Sequence, residues 1–315
     1  TQVKVPVGEI AMSNDELCQK LNIARQPVSR TTLLGIAACR EALADAQISD
    51  AGDVAFISST TVGGMDLTPT FYREFMADAS KGRLRNVAQH DCASSTDAIA
   101  QNCGIGGFRT AISTACSSAA NAMMMGARMI EHGLVDTVVC GGIDALCAYT
   151  IDGFKSLMIL DEAPCRPLDQ SRSGLNLGEG AAFVVLQNPK VAKKSYCALA
   201  GYANANDAFH QTAVSDDGYG PQMAMRGALE MAKCSPSDVS YINLHGTGTP
   251  NNDASETTAI KAIWGSKMPP LSSTKAFTGH TLAAAGAVEA VFSVLAIINN
   301  QAWAMIYQVD YQCIT

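Results

Sequence analysis

The chain has 315 residues, 48% of them hydrophobic and 16% charged, which supplies a large core and excludes a disordered protein. A net charge of −7 without any arginine- or lysine-rich tract excludes an ordinary nucleic-acid-binding protein. Eleven scattered cysteines, an odd number with no CxxC pair, point to reduced thiols in a reducing compartment and exclude a disulfide framework or zinc site.

The opening tract "TQVKVPVGEIAMSNDE" lacks a long apolar core behind a basic flank, so no signal peptide is expected. Residues 31–49 carry helical spacing of apolar positions, and "DVAFISSTTVGG" reads as a strand running into a glycine-rich turn. In "STACSSAANA", residues 113–122, a β-branched approach gives way to Cys116 and then to a small-residue helix. "LQNPKVAKKS", around Pro189, is a candidate junction that divides the chain into segments 1–190 and 191–315. Beyond it, "PQMAMRGALEMAKCSPS" predicts another helix, followed by "DVSYINLHGTGT". The run "TLAAAGAVEAVFSVLAI" from Thr281 is strongly apolar, but with Glu289 inside it a buried helix is expected rather than a membrane insertion.

These elements echo one another. Asp53-Val54 and Asp238-Val239 precede matching aromatic and isoleucine positions at a spacing of 185 residues, whereas Thr114 and Thr274 are 160 apart. The difference places an extra 25 residues in the first half, within segment 65–110. Two helix–strand–loop–helix halves predict a duplicated α/β fold with a pseudo-twofold axis, although chance matches in β-rich segments would give the same echo.

Ligand sites in α/β proteins gather where strands end and helices begin. Cys116, His245 and the Lys275/His280 pair all stand at such junctions, and the pseudo-twofold would bring them together. At a helix N-terminus Cys116 would gain thiolate character and neighbouring N–H groups could hold an oxyanion, whereas the alternative is a small buried hydrophobe. His245 lies in "NLHGTGTP", where the glycines at 246 and 248 would let backbone approach a ligand closely, and it could equally cap a turn. The helix field would keep His280 neutral. Lys275 and Glu256 could form a charged pair of either supporting or purely structural value. The HGTGT tract lacks a P-loop's lysine and full glycine spacing, and His90, His132 and His210 have no comparable setting.

Taken in order, "STACSS", "CRPLDQSRSGLNLGEGAAFVVL", "HGTGTPNNDASE" and "STKAFTGH", together with "DTVVCGGIDAL", resemble the elongating β-ketoacyl-acyl carrier protein synthases, from about residue 30 to residue 300. The resemblance implies a thiolase fold, with duplicated halves in a layered α-β-α-β-α arrangement. It implies that Cys116 accepts the acyl chain, that His245 and His280 assist malonyl decarboxylation, and that Lys275 supports them while paired with Glu256. Histidine rather than asparagine at position 280 selects the elongating class over relatives that use acetyl-CoA starters. It also implies no bound cofactor or metal, substrates carried on the phosphopantetheine arm of acyl carrier protein, a cytoplasmic location, and a homodimer or a heterodimer with a related subunit. The segment "TPTFYREFMADA" is a candidate subunit interface. Arg25, Arg30, Lys155, Lys81, Arg83 and Arg85 are candidates for a basic rim that meets the acidic carrier.

The resemblance is incomplete, because the 315 residues contain neither the family's opening strand and glycine turn nor its terminal Gly-Phe-Gly-Gly loop. Two other functions compete. A chain-length-factor-like partner subunit would ordinarily lack the cysteine, and a Cys–His hydrolase would pass the acyl group to water.

Overall fold

The computed structural model describes residues 4–23, 28–210 and 213–301. The central element is a four-stranded sheet ordered β3-β2-β4-β6. It comprises β2 (Ala55–Ser59), β3 (Arg109–Ile112), β4 (Thr137–Asp144) and β6 (Gly180–Gln187). β3 and β4 run parallel to β2, and β6 closes the sheet antiparallel to β4. A smaller parallel pair, β7 (Ile242–Asn243) and β8 (Leu271–Ser272), belongs to the second half. A third pair joins β1 (Val7–Gly8) to β5 (Leu177–Gly178).

Strand periodicity explains how one sheet supports a layer on each face. Phe56, Val139 and Ile143 face a core shared with Leu33, Ile36 and Ile99. Those last three come from α2 (Arg30–Asp45) and α5 (Cys92–Asn102). Ala55, Ile57, Val138 and Cys140 face the other way, towards Ala122 and Met123 of α6 (Ser118–Glu131). Burying a side chain of this size stabilises the fold by roughly 1.5–3 kcal/mol. α1 (Asn14–Leu21) packs on α2 from outside and starts with a capping box between Ser13 and Glu16.

The region assigned to the extra residues holds α3 (Thr68–Ala77) and α4 (Leu84–Val87), between β2 and α5. α7 (Ala148–Ser156) follows β4. The second half continues with α8 (Tyr219–Ala232), α9 (Pro250–Trp264), α10 (Lys275–Thr278) and α11 (Ala285–Asn299). α11 packs against β6, β4 and α6, so α6 and α11 pack together against the four-stranded sheet. The echoed segments take corresponding positions, since the strand after α2 pairs in parallel with the strand before Cys116, and the strand after α8 pairs in parallel with the one before Lys275.

The apolar run that ends in α11 divides in two. Leu282, Ala283, Ala284, Ala285 and Ala287 are buried, whereas Leu295, Ile297 and Ile298 are exposed. Among the described residues, the stretch Leu282–Asn299 is long and apolar enough to cross a membrane by length and composition. Its first turns are instead packed into the protein, so the expected burial holds for the start of the run and not for its end. Ten cysteines among the described residues are free thiols.

Candidate active site

Cys116 lies on a tight turn between β3 and α6. Hydroxyls of the flanking serines tie that turn. Ser118 Oγ accepts from the Thr114 N–H at 2.8 Å and donates to the Ala115 carbonyl at 2.6 Å. Ser117 Oγ donates to the Thr114 carbonyl at 2.8 Å. Ala115 has φ of +53°, a left-handed conformation that a residue with a Cβ rarely adopts, and the sharp reversal presents Cys116 ahead of the helix.

Two loops of the second half face this turn. His245 follows β7, and the φ of +41° at Gly246 brings a missing Cβ to within 2.6 Å of Ser273 Cβ, so only glycine lets the two loops meet. Ser273 Oγ donates to the Gly246 carbonyl at 2.7 Å. His280 is placed by its backbone: its N–H donates to Asn176 O at 2.7 Å and its carbonyl accepts from Gly178 N–H at 3.0 Å. The rings of His245 and His280 meet edge to face, with centroids 5.1 Å apart and planes at 84°. His280 Nε2 lies 3.0 Å from Cys116 Sγ. A thiol from one half and two imidazoles from the other thus share one pocket.

Lys275 is almost completely buried beside them. Its Nζ donates to the His245 carbonyl at 2.5 Å, lies 3.3 Å from His245 Nδ1, and forms a short ion pair with Glu289. The expected Lys275–Glu256 pair is therefore corrected. Both Glu256 oxygens accept backbone N–H groups, from His245 and Gly246, each at 2.8 Å. Glu256 thus clamps the histidine loop, and Glu289, read in the sequence only as an interruption of an apolar run, supplies the counterion. Its position at helical spacing among alanines on the buried start of α11 is the signal that could have identified it.

Electrostatics follow from this enclosure. Burial, then the Lys275 charge and the neighbouring His280, hold His245 well below the usual histidine range, and burial and Lys275 do the same to His280. Both rings are neutral at pH 7. Burial pushes the Cys116 thiol up despite the opposing pull of Lys275, so the thiolate character expected at a helix N-terminus is outweighed by desolvation. Burial also raises Glu289, and raises Glu256 to about 7.

The outer ring nitrogens fix where the protons sit. His245 Nδ1 faces an ammonium, which can only donate. His280 Nδ1 accepts the Leu282 N–H at 3.2 Å. Each neutral ring then carries its proton on Nε2, and for His280 that nitrogen faces Cys116. The donor atoms of Cys116, His245 and His280 lie within 4.8 Å of one another, a zinc-like composition. The tautomers do not fit a metal, however, because ligating histidines donate through their outer nitrogen, whereas both of these accept there. Nε2–H is thus the donor on each ring, and that of His280 is turned towards Cys116 Sγ.

Other candidates fall elsewhere. Arg30 is not on a rim: its guanidinium donates to Glu179 at 2.6 and 2.8 Å and to the Met12 and Ile10 carbonyls, tying the N-terminal segment to the sheet. Lys81, Arg83, Arg85 and Lys155 are exposed, and Arg25 lies outside the described residues. In α3, Phe71 and Phe75 stack at 5.7 Å while Tyr72 and Met76 face solvent.

Comparison with known proteins matches residues 5–192 to the beta-ketoacyl synthase N-terminal domain and residues 196–307 to the beta-ketoacyl synthase C-terminal domain. A 3-oxoacyl-[acyl-carrier-protein] synthase 2 of Staphylococcus aureus is 32% identical over 310 residues, covering 91% of this chain and 74% of the relative. Its namesake in Vibrio harveyi is 35% identical over 288 residues, covering 84% and 69%. Among solved structures, a ketosynthase in complex with its chain length factor from Xenorhabdus doucetiae superposes with a TM-score of 0.79 at 32% identity, over 94% of this chain and 73% of that one. A type II polyketide synthase acyl-carrier protein in complex with its hexaketide-bound ketosynthase superposes at 0.79 and 25% identity, over 92% and 74%.

Proposed function

Because the chain belongs to the β-ketoacyl synthase family and has its thiolase fold, we propose that the pocket around Cys116 is where it performs that family's decarboxylative condensation. The enzyme is an acyltransferase that joins an acyl group to the two-carbon unit of malonyl-acyl carrier protein, giving β-ketoacyl-acyl carrier protein. The observation that carries the residue roles is the 3.0 Å approach of His280 Nε2 to Cys116 Sγ across the two halves.

In the first step Cys116 Sγ attacks the carrier thioester. The new C–S bond replaces the old one, and the Cys116 proton leaves with the carrier's pantetheine thiol. A thiol suits this role because sulfur is both a good nucleophile and a good leaving group. In the second step malonyl-acyl carrier protein enters and its thioester oxygen takes the place between the Nε2–H donors of His245 and His280. The carboxylate carbon–carbon bond breaks, carbon dioxide leaves, and the electron pair forms an enolate whose oxygen those donors hold. The enolate carbon attacks the acyl carbonyl and expels Cys116 sulfur, which takes up a proton.

Neutral donors suit the enolate. An imidazolium would protonate its carbon, and burial beside the Lys275 ammonium keeps both rings uncharged. Lys275, Glu289 and Glu256 shape the site and do not bond the substrate. No metal or bound cofactor takes part, and both acyl groups arrive on the phosphopantetheine arm of acyl carrier protein. A reducing cytoplasmic setting keeps Cys116 a thiol.

The enzyme works with acyl carrier protein and as a dimer, with itself or with a related subunit. The exposed basic cluster of Lys81, Arg83 and Arg85 is suited to the acidic carrier, and the aromatic surface of α3 to the second subunit. The test is to incubate the protein with an acyl-carrier thioester and locate the acyl mass by peptide analysis. We expect it on Cys116, with none in Cys116→Ala, and conversion to β-ketoacyl thioester once malonyl carrier is added. Equal loading of the alanine variant refutes the assignment, and release of free acid without condensation favours a hydrolase.

A further inference from the structure

β4 ends in a fully buried carboxylate, Asp144, to which no lysine or arginine is hydrogen-bonded among the described residues. Donors from both halves of the chain satisfy it instead. Oδ1 accepts from Thr60 Oγ1 at 2.6 Å, Thr61 N–H at 2.9 Å and Val62 N–H at 3.2 Å. Oδ2 accepts from Thr61 Oγ1 at 2.5 Å, from the Ala283 N–H at 2.8 Å and, as the longer arm of a shared bond, from the Thr61 N–H at 3.2 Å. One carboxylate therefore fastens the loop after β2 to the turn that follows His280.

That turn is unusual. Leu282, directly before Ala283, has φ of +51°, a left-handed conformation that leucine seldom adopts. In that conformation its N–H points back at His280 Nδ1, 3.2 Å away. The turn is gripped at adjacent amides, one by the imidazole and the next by Asp144. Gly142 adds a third restraint, since a Cβ there would lie 2.5 Å from the Ala283 carbonyl oxygen, so β4 and the turn touch without a side chain between them.

We propose that Asp144 is a positioning residue for the condensation: by holding Ala283 it keeps the Leu282 N–H on His280 Nδ1 and so keeps the His280 proton on Nε2, aimed at the reacting oxygen. The catalytic consequence rests on the ketosynthase reading above. The inference separates the two steps of the reaction. Acyl loading needs Cys116, whereas decarboxylation needs the His280 donor.

Asp144→Asn is the informative change. The Val62 N–H and the shorter arm of the shared Thr61 N–H, 2.9 Å against 3.2 Å, both favour an oxygen on the Oδ1 side, so the amide oxygen belongs there. The amide –NH₂ then meets the Ala283 N–H, donor against donor, and the turn is released. The variant should load Cys116 from acyl carrier thioester within about threefold of wild type, while carbon dioxide release from malonyl carrier falls roughly 10–100-fold. A ¹⁵N spectrum of histidine-labelled protein, with the His280 signals assigned by their loss in His280→Ala, should change from a single Nε2–H form to a tautomer mixture. Thr61→Val removes one hydroxyl from Oδ2 at constant shape and should move both readouts the same way by less.

A folded Asp144→Asn protein with the wild-type His280 tautomer, or with loading and decarboxylation reduced in equal measure, overturns the inference. If that variant does not fold, an unchanged ratio and spectrum in Thr61→Val overturns it. Should wild-type protein fail to load Cys116, the ketosynthase reading falls, and the tautomer comparison still decides what Asp144 does to His280.

Discussion

Lys275 shows how much a single buried charge can organise. Its ammonium fixes the tautomer of His245, holds that residue's carbonyl, and neutralises Glu289, all from a position 2% exposed. Replacing it with methionine keeps the volume and leaves the Glu289 carboxylate without a partner. We expect Lys275→Met to lose about 3–5 kcal/mol in denaturant unfolding, because breaking a buried pair strands a charge. The double variant Lys275→Met/Glu289→Gln should recover part of that loss, whereas its decarboxylation stays low because His245 is freed. Full recovery of activity would remove Lys275 from the mechanism. Residue identities were legible in the sequence while their partners were not. Cys116, His245 and His280 stood out by position, but the pairing of Lys275 depended on which acid the fold brings near, and Glu256 and Glu289 both lie on helices that approach the site.

At the scale of elements, the site depends on loops that only glycine permits to touch. Gly279 has φ of +66°, and a Cβ there would lie 2.6 Å from the Leu177 carbonyl oxygen. Gly133, at the end of α6, has φ of +68° with nothing within 4 Å. Gly133→Ala should therefore show only the conformational cost of a left-handed alanine, about 1 kcal/mol. Gly279→Ala adds a backbone clash next to His280 and should lower the melting temperature several times further and reduce condensation with it. Comparable melting shifts would show that the 177–178 strand and the 279 turn are not pressed together. The pattern of elements was readable from periodicity, and the paired strands after α2 and α8 follow the echo in the sequence. The backbone donors were not readable, since the Leu282 N–H that sets the His280 tautomer depends on a left-handed leucine that no local propensity indicates.

For the whole molecule, one buried site assembled from two halves leaves a signature in the pH dependence of stability. Burial raises Asp66 to about 6 and Glu256 to about 7, from ordinary values of 3.8 and 4.5. The folded state binds these protons more tightly than the unfolded chain. Their contribution is full below the ordinary values and is lost as pH rises through 6 and 7. His245 and His280 act oppositely: their folded-state values lie well below 6.5, so their contribution is present above that pH and lost as pH falls below it. The stability of Glu256→Gln relative to wild type should therefore improve between pH 5 and pH 8, as followed by urea unfolding. A constant difference across that range would mean that Glu256 is not a desolvated carboxylate. The sequence echo anticipated that two halves meet, and it could not convey the orientation in which they do so, because side-chain convergence arises from packing of α6 against α11.

The convergence itself is tested most directly by charging wild type, His245→Ala and His280→Ala with an acyl group on Cys116 and then adding malonyl-acyl carrier protein. Product is followed by intact-protein and carrier mass. The account predicts that all three accept the acyl group, that wild type discharges it as β-ketoacyl-acyl carrier protein with one carbon dioxide per turnover, and that both histidine variants keep it on the cysteine. Condensation by either variant at the wild-type rate would contradict it.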